Sequence, residues 1–300
     1  MKCLIVNADD FGLTHGVNRA IAACHEHGMV SSTTLMAGGA CFDDAVSLAR
    51  ALPRLRVGCH IVLVDGTPLL PAREVRSLLA PGTDRFYHSI GEVLRAVARG
   101  RFRAAEIEAE AIAQLTKLQQ AHVEISHFDT HKHTHMFPSI LRPLLRAARA
   151  HGVGAVRNPF EAPGAVRWRE ALAGKTLLLR KAETTLLRVG LAGRWRRAVA
   201  DAGLATTSGS LGVASTGTLT EAGLRALLRQ MPEGTWELVC HPGYNDGELA
   251  AVRTKLRESR AVEMQALQAI TRDQLREEYG IELVAFGGKA ATAADVGTSN

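Results

Sequence analysis

Short apolar segments with the composition of buried β-strands recur along the chain, and most are followed by a helical pattern. The clearest are Cys3–Val6, Arg56–Leu63, Val123–Phe128 and Trp236–Cys240. Continuous apolar runs without alternation are typical of parallel strands that are buried on both faces. This alternation repeats about seven times without a clear linker. It predicts one α/β domain, a distorted (β/α) barrel of about seven parallel strands with its active site at the C-terminal strand ends.

Capping residues locate several of the helices. Thr14 can cap a helix over 15–27 that Gly28 ends, and Ser89 with Glu92 forms a capping box. Residues 64–87 contain several prolines and predict a long loop, which in a compact domain is usually functional. Further helices are predicted over 42–52, 103–121, 138–151, 218–230 (opened by a capping box of Thr218 and Glu221) and 256–278, and further strands over 29–36, 154–157 and 282–286.

The barrel is expected to occupy residues 1–288, with a basic helical insertion at about 163–203 and a disordered tail at 289–300. The five cysteines are odd in number and form no CxxC pair, which predicts free thiols in a reducing compartment. The first apolar run is too short for a signal peptide, and no stretch approaches the ~20 apolar residues of a membrane span. We therefore expect a cytoplasmic protein. A formal net charge of +6 is too mild to indicate nucleic-acid binding.

Two adjacent carboxylates, Asp9 and Asp10, follow the first strand. A turn or a helix cap would explain one of them at most. Perturbed carboxylates cluster at active sites, so the pair indicates function. A bound metal ion would hold one carboxylate as a ligand, and the other would be free to take a proton from a water molecule.

Histidines mark three other strand ends. His60 lies within a predicted strand, where a histidine is often an ordinary core residue, and His241 precedes Pro-Gly at the end of another. His131, His133 and His135 alternate after Asp129, and alternation in an extended segment would put all three imidazoles on one side. A metal ligand with neighbouring substrate contacts is the natural use of such a cluster, and Asp129 can orient one of its rings.

These ligand types suit Zn²⁺ or a similar divalent metal, although Mg²⁺ stays open as an alternative. Phe11-Gly12-Leu13 is not a dinucleotide-binding fingerprint. Ser208-Gly-Ser-Leu-Gly212 follows no convincing strand, which disfavours a serine hydrolase.

Taken together, these motifs resemble those of the YdjC-like carbohydrate deacetylases. The matching segments are Asn7–Gly12, Gly58–His60, Asp129–Pro138 and His241–Gly243. The long form of the histidine motif, together with Val156–Pro159, is most similar to the hopanoid-biosynthesis-associated (HpnK-like) branch. The resemblance implies a distorted (β/α) barrel, one divalent metal ion and removal of an acetyl group from an N-acetylated amino sugar.

The resemblance also implies individual roles. It implies that Asp10, His60 and His131 are metal ligands. It implies that Asp9 is the catalytic base and His241 the general acid. His135 and Arg157 would line the substrate cleft, and Asp129 and His133 would lie behind the ligands. The full set of implied site residues is Asp9, Asp10, His60, Asp129, His131, His133, His135, Arg157 and His241.

The HpnK-like resemblance suggests a hopanoid lipid that carries N-acetylglucosamine. Residues 167–197 carry nine Lys and Arg against two Glu, interleaved with Trp and Leu, which is typical of helices that lie on membranes. A solvated hairpin or a dimer face would have a similar composition. Other open readings are deacetylation of soluble chito-oligosaccharides, a metal-dependent phosphoesterase with more carboxylates, and a non-catalytic component of a lipid-biosynthesis assembly.

Overall fold

Seven parallel strands form a single curled sheet in the computed structural model, which describes residues 1–162 and 189–287. The strands occur in the order β4-β3-β2-β1-β6-β5, and β7 pairs with the first half of β1. This arrangement confirms the predicted parallel barrel-like fold, in the form of a curled half-barrel surrounded by helices. The strands are β1 Lys2–Phe11, β2 Ser32–Leu35, β3 Arg56–Ile61, β4 Ile125–Thr130, β5 Gly209–Leu211, β6 Gly234–Cys240 and β7 Ile281–Val284.

Helices cover the outside of the sheet, and several begin where the sequence predicts. The Thr14 side chain accepts a hydrogen bond from Val17 N–H, and Ser89 and Glu92 form the complete capping box. Residues 189–201 are helical as far as the chain is described there. The other helices are α1 His15–His27, α2 Phe42–Ala51, α3 Ile90–Ala98, α4 Ala104–Gln120, α5 Pro138–Ala150, Glu221–Gln230, Gly247–Ala251, Glu258–Gln268 and Arg272–Tyr279, with 3₁₀ turns at Ala72–Glu74, Arg76–Leu78 and His131–Met136.

Two helix predictions in the C-terminal third are wrong. The predicted helix over 256–278 is two helices, because Thr271 and Gln274 form a capping box that starts a new one. The helix predicted to follow Thr218 begins after Thr220, whose side chain accepts a hydrogen bond from Gly223 N–H. In both places a threonine hydroxyl accepts a hydrogen bond from a free N–H group at the first turn of the helix. This local bond decides where the helix starts.

The open side of the sheet is bridged by the irregular segment 154–162. The predicted strand 154–157 is therefore wrong as a regular strand. Segment 154–162 instead forms three isolated parallel bridges, which pair Val156 with Phe128, Ala155 with Ala205 and Glu161 with Ser210. Segment 154–162 thus runs between the edges of β4 and β5, and the curl is continued by a few backbone hydrogen bonds. This path carries Arg157 into the interior of the sheet, where its side chain is fully buried.

Two buried polar side chains of α4 fasten the chain after β3, one just before the long loop at 64–87 and one within it. The Glu110 carboxylate accepts hydrogen bonds from Leu69 N–H at 2.9 Å and Leu70 N–H at 3.1 Å. The Gln114 amide bonds both the N–H and the C=O of Val62. The first part of the loop is therefore held against α4.

The predicted insertion at 163–203 is described only from residue 189 onward, and the predicted tail at 289–300 lies outside the described residues. Within the described part, none of the helices combines the length and the apolar composition needed to cross a bilayer. All five cysteines are free and buried, as their odd number predicts.

Candidate metal centre

The two adjacent carboxylates reach the same place because β1 is irregular at its end. Successive strand residues normally point to opposite faces of a sheet. The pairing of β1 with β2 shifts register between Ala8 and Phe11, and Asp10 has a left-handed φ of 69°. A left-handed aspartate in a strand is unusual and marks a functional constraint. The irregularity turns the carboxylates of both Asp9 and Asp10 toward the ring of His60, on β3.

Three donor atoms from different strand ends meet in one small triangle. Asp10 Oδ1 lies 3.5 Å from His60 Nε2 and 3.5 Å from His131 Nδ1. The two imidazole nitrogens are 3.2 Å apart. Metal–ligand distances of about 2.0–2.1 Å place neighbouring ligands of a tetrahedral Zn²⁺ about 3.3–3.4 Å apart. Asp10, His60 and His131 therefore have the spacing of ligands to one small divalent ion.

The surroundings of Asp10 also fit a metal ion. Its Oδ2 accepts a hydrogen bond from Arg260, whereas its buried Oδ1 has no hydrogen-bond partner among the described residues. An unpartnered buried carboxylate oxygen is costly, and a cation beside it would remove that cost. The side chain of His131 is 23% exposed, so this side of the triangle is open to solvent. An open position is what distinguishes a catalytic metal site from a structural one.

Asp129 holds the ring of His60 from behind. Its Oδ1 lies 2.7 Å from His60 Nδ1, which leaves Nε2 to face Asp10 and His131. Thr34 Oγ1 adds contacts at 3.2 Å to His60 Nδ1 and at 3.2 Å to Asp129 Oδ2. Burial alone would lower the pKa of His60, but the Asp129 carboxylate raises it to about 9. A carboxylate behind an imidazole is the usual way to fix the orientation of a ligating histidine.

A second set of carboxylates surrounds Arg157 one layer deeper. Its guanidinium donates to Asp9 Oδ2 at 2.8 Å and to Asp9 Oδ1 at 2.6 Å. The same side chain contacts Asp129 Oδ2 and, at 2.7 Å, Glu237 Oε1. Burial alone would raise the pKa of Asp9, but Arg157 holds it well below its usual range. Burial raises the pKa of Glu237 to about 8 against the opposing charge of Arg157.

These contacts separate the roles that the two aspartates can take. Asp9, His60 and Asp129 are also close enough to share an ion. However, both oxygens of Asp9 already accept hydrogen bonds from Arg157. Asp10 has a free oxygen that points at two imidazoles. The geometry therefore favours Asp10 as the carboxylate that faces a metal ion.

His241 lies on the other side of Asp9. Its Nε2 is 3.7 Å from Asp9 Oδ2, and its ring is largely buried at 12% exposure. Glu263 accepts a hydrogen bond from the backbone N–H of His241 at 2.7 Å. The same carboxylate oxygen lies 3.9 Å from His241 Nδ1. A carboxylate and an imidazole thus flank the metal triangle, which is the pairing that general acid–base chemistry requires.

The expectation that the three alternating histidines share one side is wrong. The segment is a 3₁₀ turn, His131–Met136, in which Lys132 and His133 both have left-handed backbone angles. Only His131 faces Asp10. His135 is fully buried, and its ring bonds the hydroxyl of Thr130 and the backbone oxygen of Arg157. A turn at 131–133 breaks the two-residue period on which the expectation depended.

Two residues expected in the cleft are enclosed by protein. His135 and Arg157 both have 0% exposure. Arg157 faces the carboxylate of Asp9, and the backbone oxygen of His135 accepts a hydrogen bond from buried Trp195. Burial and the charge of Arg157 lower the pKa of His133 to about 3, which favours a neutral ring. In this structure His135 and Arg157 therefore support the cluster from inside the protein.

The buried charges are unbalanced in a way that favours a cation. Five carboxyl groups converge here, but burial raises the pKa of Glu237 to about 8, so four of them are carboxylates at neutral pH. They face the guanidinium groups of Arg157 and Arg260 and the imidazole of His60, whose pKa is raised to about 9. Buried uncompensated charge is expensive, so a divalent cation would stabilise this arrangement. The carboxyl groups belong to Asp9, Asp10, Asp129, Glu237 and Glu263, each at most 3% exposed.

Sequence reasoning missed four of these contributors. Glu237 carries a detectable signal, because a carboxylate inside the apolar run Trp236–Cys240 calls for a buried partner. Thr34, Arg260 and Glu263 carry none, since each looks like an ordinary strand or helix residue. Their roles depend on contacts such as that between Arg260 and Asp10, which are 250 positions apart.

Comparison with known proteins identifies the family to which the chain is similar. A family model described as YdjC-like protein matches residues 3–278. A carbohydrate deacetylase of Brevibacillus brevis is 41% identical over 157 residues, which are 52% of this chain and 59% of that protein. A chitooligosaccharide deacetylase of Enterobacter sp. is 36% identical over 185 residues, 61% of this chain and 66% of that protein. The chain thus spans 59–66% of the length of these two curated relatives.

The fold is also shared with a solved structure. A crystal structure from Enterococcus faecalis, described as a cellobiose-phosphate cleavage protein, superposes with a TM-score of 0.73 at 24% identity. The superposition covers 95% of this chain and 97% of that one. The curled parallel sheet is therefore an architecture seen in an experimental structure.

Proposed function

The chain belongs to the YdjC-like family, and we propose that it is a metal-dependent hydrolase that removes the acetyl group from an N-acetylated amino sugar. One observation carries the proposal: Asp9 and His241 flank the triangle of Asp10, His60 and His131. An amide hydrolase needs a polarised carbonyl, a base for the water and an acid for the departing amine. These five side chains supply a group for each task.

The metal triangle would position the substrate amide. Asp10 Oδ1, His60 Nε2 and His131 Nδ1 would hold a divalent ion, either Zn²⁺ or Mg²⁺. When bound, such an ion supplies Lewis acidity to the amide carbonyl and lowers the pKa of a water molecule. Two imidazoles and one carboxylate resemble a zinc donor set more than a magnesium one.

Asp9 and His241 would move the protons. Asp9 removes a proton from the attacking water, whose oxygen forms a bond to the acetyl carbon. His241 donates a proton to the sugar nitrogen as the C–N bond breaks, which releases acetate and a free amine. Asp9 Oδ2 and His241 Nε2 are 3.7 Å apart, so a proton gained by Asp9 has a nearby acceptor for the next cycle.

Arg157 and Glu263 would act through these two groups. The paired hydrogen bonds from Arg157 fix the plane of the Asp9 carboxylate and keep it ionised at neutral pH. Glu263 holds the backbone of His241 and lies beside its Nδ1. Both are positioning residues, since each reaches the reacting atoms only through its neighbour.

Acetate release tests the proposal directly. The metal-loaded enzyme should release acetate from a soluble chito-oligosaccharide, and Asp9→Asn should lower the rate about 10²–10⁴-fold with metal content unchanged. Asp9→Asn keeps the size of the side chain, so the metal content and the melting temperature serve as controls for folding. Phosphate release from a generic ester without acetate release would instead favour the phosphoesterase.

The finer proposal is that the sugar is carried by a lipid, as in an N-acetylglucosaminyl hopanoid. It rests on the motif resemblance and on the basic, Trp- and Leu-containing stretch 165–200, most of which lies outside the described residues. An N-acetylglucosaminyl lipid and a soluble chito-oligosaccharide should be assayed side by side. A clear preference for the lipid supports this substrate, and equal or better use of the soluble sugar contradicts it. Vesicle flotation with and without 165–200 tests peripheral membrane contact.

A further inference from the structure

A second group of metal-ligating side chains lies outside the cluster described above. His15 Nδ1 is 2.9 Å from Glu248 Oε1 and 3.2 Å from Cys41 Sγ. The three ligating atoms all lie within 4.8 Å of one another. They come from the beginnings of α1, of α2 and of the short helix Gly247–Ala251. These are three separate segments that follow the C-terminal ends of β1, β2 and β6.

Local hydrogen bonds hold the segments that carry the three side chains. Glu248 Oε2 accepts a hydrogen bond from the backbone N–H of His15 at 2.9 Å, and Cys41 N–H donates to Gly12 O at 2.9 Å. The turn that carries Glu248 is fixed by Asp246, which caps Leu249 N–H at 3.0 Å. The segments that carry the donor atoms are thus positioned before any ion arrives, which lowers the cost of binding one.

The Asp246 turn also fits closely against the start of α1. A side chain at Gly16 would collide with the Asp246 carboxylate, so that carboxylate lies directly against the backbone at the start of α1. Tyr244 N–H reaches Gly16 O at 3.5 Å. His15 and Glu248 are therefore brought together by the packing of two segments, as well as by their own contact.

We propose that His15, Cys41 and Glu248 form a second metal site, which takes a thiophilic divalent ion of the Zn²⁺ class. A thiolate, a carboxylate and a neutral imidazole together carry two negative charges, which balance one divalent cation. Sulfur and nitrogen ligands select Zn²⁺, Co²⁺ or Cd²⁺ and disfavour Mg²⁺ and Ca²⁺. Zn–S bonds of about 2.3 Å need only a small outward shift of Cys41 Sγ from its present contact with His15.

The three proposed ligands differ in how far they are exposed to solvent. Cys41 is buried at 9% exposure, while the side chains of His15 and Glu248 are 49% and 51% exposed. The ion would thus sit at the surface, with its remaining position open to water. Bound there, it would tie the beginnings of α1 and α2 to the segment that follows His241. This links the second site to the active-site rim without using any of its residues.

Cobalt provides a probe that separates the two sites, because only a thiolate ligand gives a strong near-ultraviolet charge-transfer band. The full-length metal-free protein should be titrated with Co²⁺ under reducing conditions. We expect about two bound equivalents, one with this band and one without. In Asp10→Asn the band should persist while one equivalent is lost. The result holds whether or not the protein deacetylates any sugar, so it is independent of the proposed function.

Matched variants assign the band. Cys41→Ser and the surface variant His15→Gln should each remove it, or weaken the affinity behind it at least 10-fold, and leave one bound equivalent. Cys24→Ser is the control, because Cys24 is also buried but bonds only Met264 O at 3.8 Å and belongs to no metal-ligating group among the described residues. Absence of a thiolate band in the wild type, or a band that survives Cys41→Ser, overturns the inference. Because His15→Gln alters an exposed residue, it decides the question even if Cys41→Ser does not fold.

Discussion

Two groups of polar side chains lie side by side at the end of β1, and they differ in what surrounds their carboxylates. In the inner group, Asp9, Asp129 and Glu237 surround the buried guanidinium of Arg157. In the outer group, Asp10 meets His60 and His131 with one oxygen unpartnered among the described residues. The inner carboxylates share one guanidinium, whereas in the outer group Arg260 pairs with one oxygen of Asp10 and leaves the other oxygen facing the two imidazoles. Adjacent aspartates in sequence can therefore serve two purposes, since Arg157 bonds both oxygens of Asp9 while one oxygen of Asp10 is left for an ion.

Removal of Arg157, the guanidinium of the inner group, should have the largest effect of the changes considered, and that effect is on stability. Arg157→Met would leave three buried carboxyl groups without their guanidinium, and we expect a loss of about 3–5 kcal/mol in unfolding free energy. Urea denaturation of the metal-free protein measures it. Arg260→Met is the matched variant, since Arg260 is equally buried but pairs with Asp10 alone, and its loss should be smaller. Equal losses, or a loss below about 1 kcal/mol for Arg157→Met, would contradict the account.

The next largest effect should come from the residue that joins the two groups. Asp129 contacts both Arg157 and the ring of His60. Asp129→Asn should weaken metal binding about 10–100-fold, which is the usual cost of losing a carboxylate behind a ligating histidine. Competition titration with a chromophoric chelator measures the affinity of the site.

Glu237→Gln is the control for Asp129→Asn. Its carboxyl group bonds the same Arg157 but touches neither His60 nor His131. Burial raises the pKa of Glu237 to about 8, so at neutral pH the group is largely protonated, and glutamine is a close substitute. Metal affinity should change by no more than a few-fold. If Glu237→Gln weakened binding as much as Asp129→Asn, general charge and not the imidazole contact would control the ion.

The smallest effect should come from a hydroxyl between the groups. Thr34 Oγ1 lies 3.4 Å from Asp9 Oδ1 and 3.2 Å from both His60 Nδ1 and Asp129 Oδ2. Thr34→Val should cost about 0.5–1.5 kcal/mol in stability and a few-fold in metal affinity. Thr33→Val is the matched variant, because Thr33 also lies on β2 but its hydroxyl donates to the backbone oxygen of Ala8 on β1. Thr33→Val should lower stability by a similar amount and leave metal affinity unchanged. A loss of metal affinity in Thr33→Val as large as in Thr34→Val would contradict the role given to the Thr34 hydroxyl.

Local patterns were sufficient to predict most of the fold. Continuous apolar runs identified β1, β3 and β6, and the capping residues Thr14 and Ser89 located two helix starts. The strand Gly209–Leu211 was missed, because three residues that include glycine give no periodicity. The break at Thr271 was missed because the apolar pattern continues across it, and the capping bond that decides it is a single side-chain contact.

The candidate site also has a part that the sequence predicts and a part that it does not. That Asp10, His60 and His131 would converge followed from their places at parallel strand ends. The pairing of Arg157 with Asp9 did not follow, because it joins residues 148 positions apart through the irregular segment 154–162. The side chain of Arg157, expected to line the substrate cleft, is therefore buried beneath the site. Sequence spacing can show which strand ends meet, but the depth of each side chain depends on how the sheet curls.

The central claim is that Asp10 faces the ion while Asp9 works on the water. Metal content after equilibrium dialysis of Asp9→Asn and Asp10→Asn, both in a Cys41→Ser background that removes the second site, tests it most directly. We expect Asp9→Asn to retain about one equivalent of metal while releasing acetate about 10²–10⁴-fold more slowly, and Asp10→Asn to retain almost no metal. Retention by Asp10→Asn together with loss from Asp9→Asn would reverse the assignment and contradict the account.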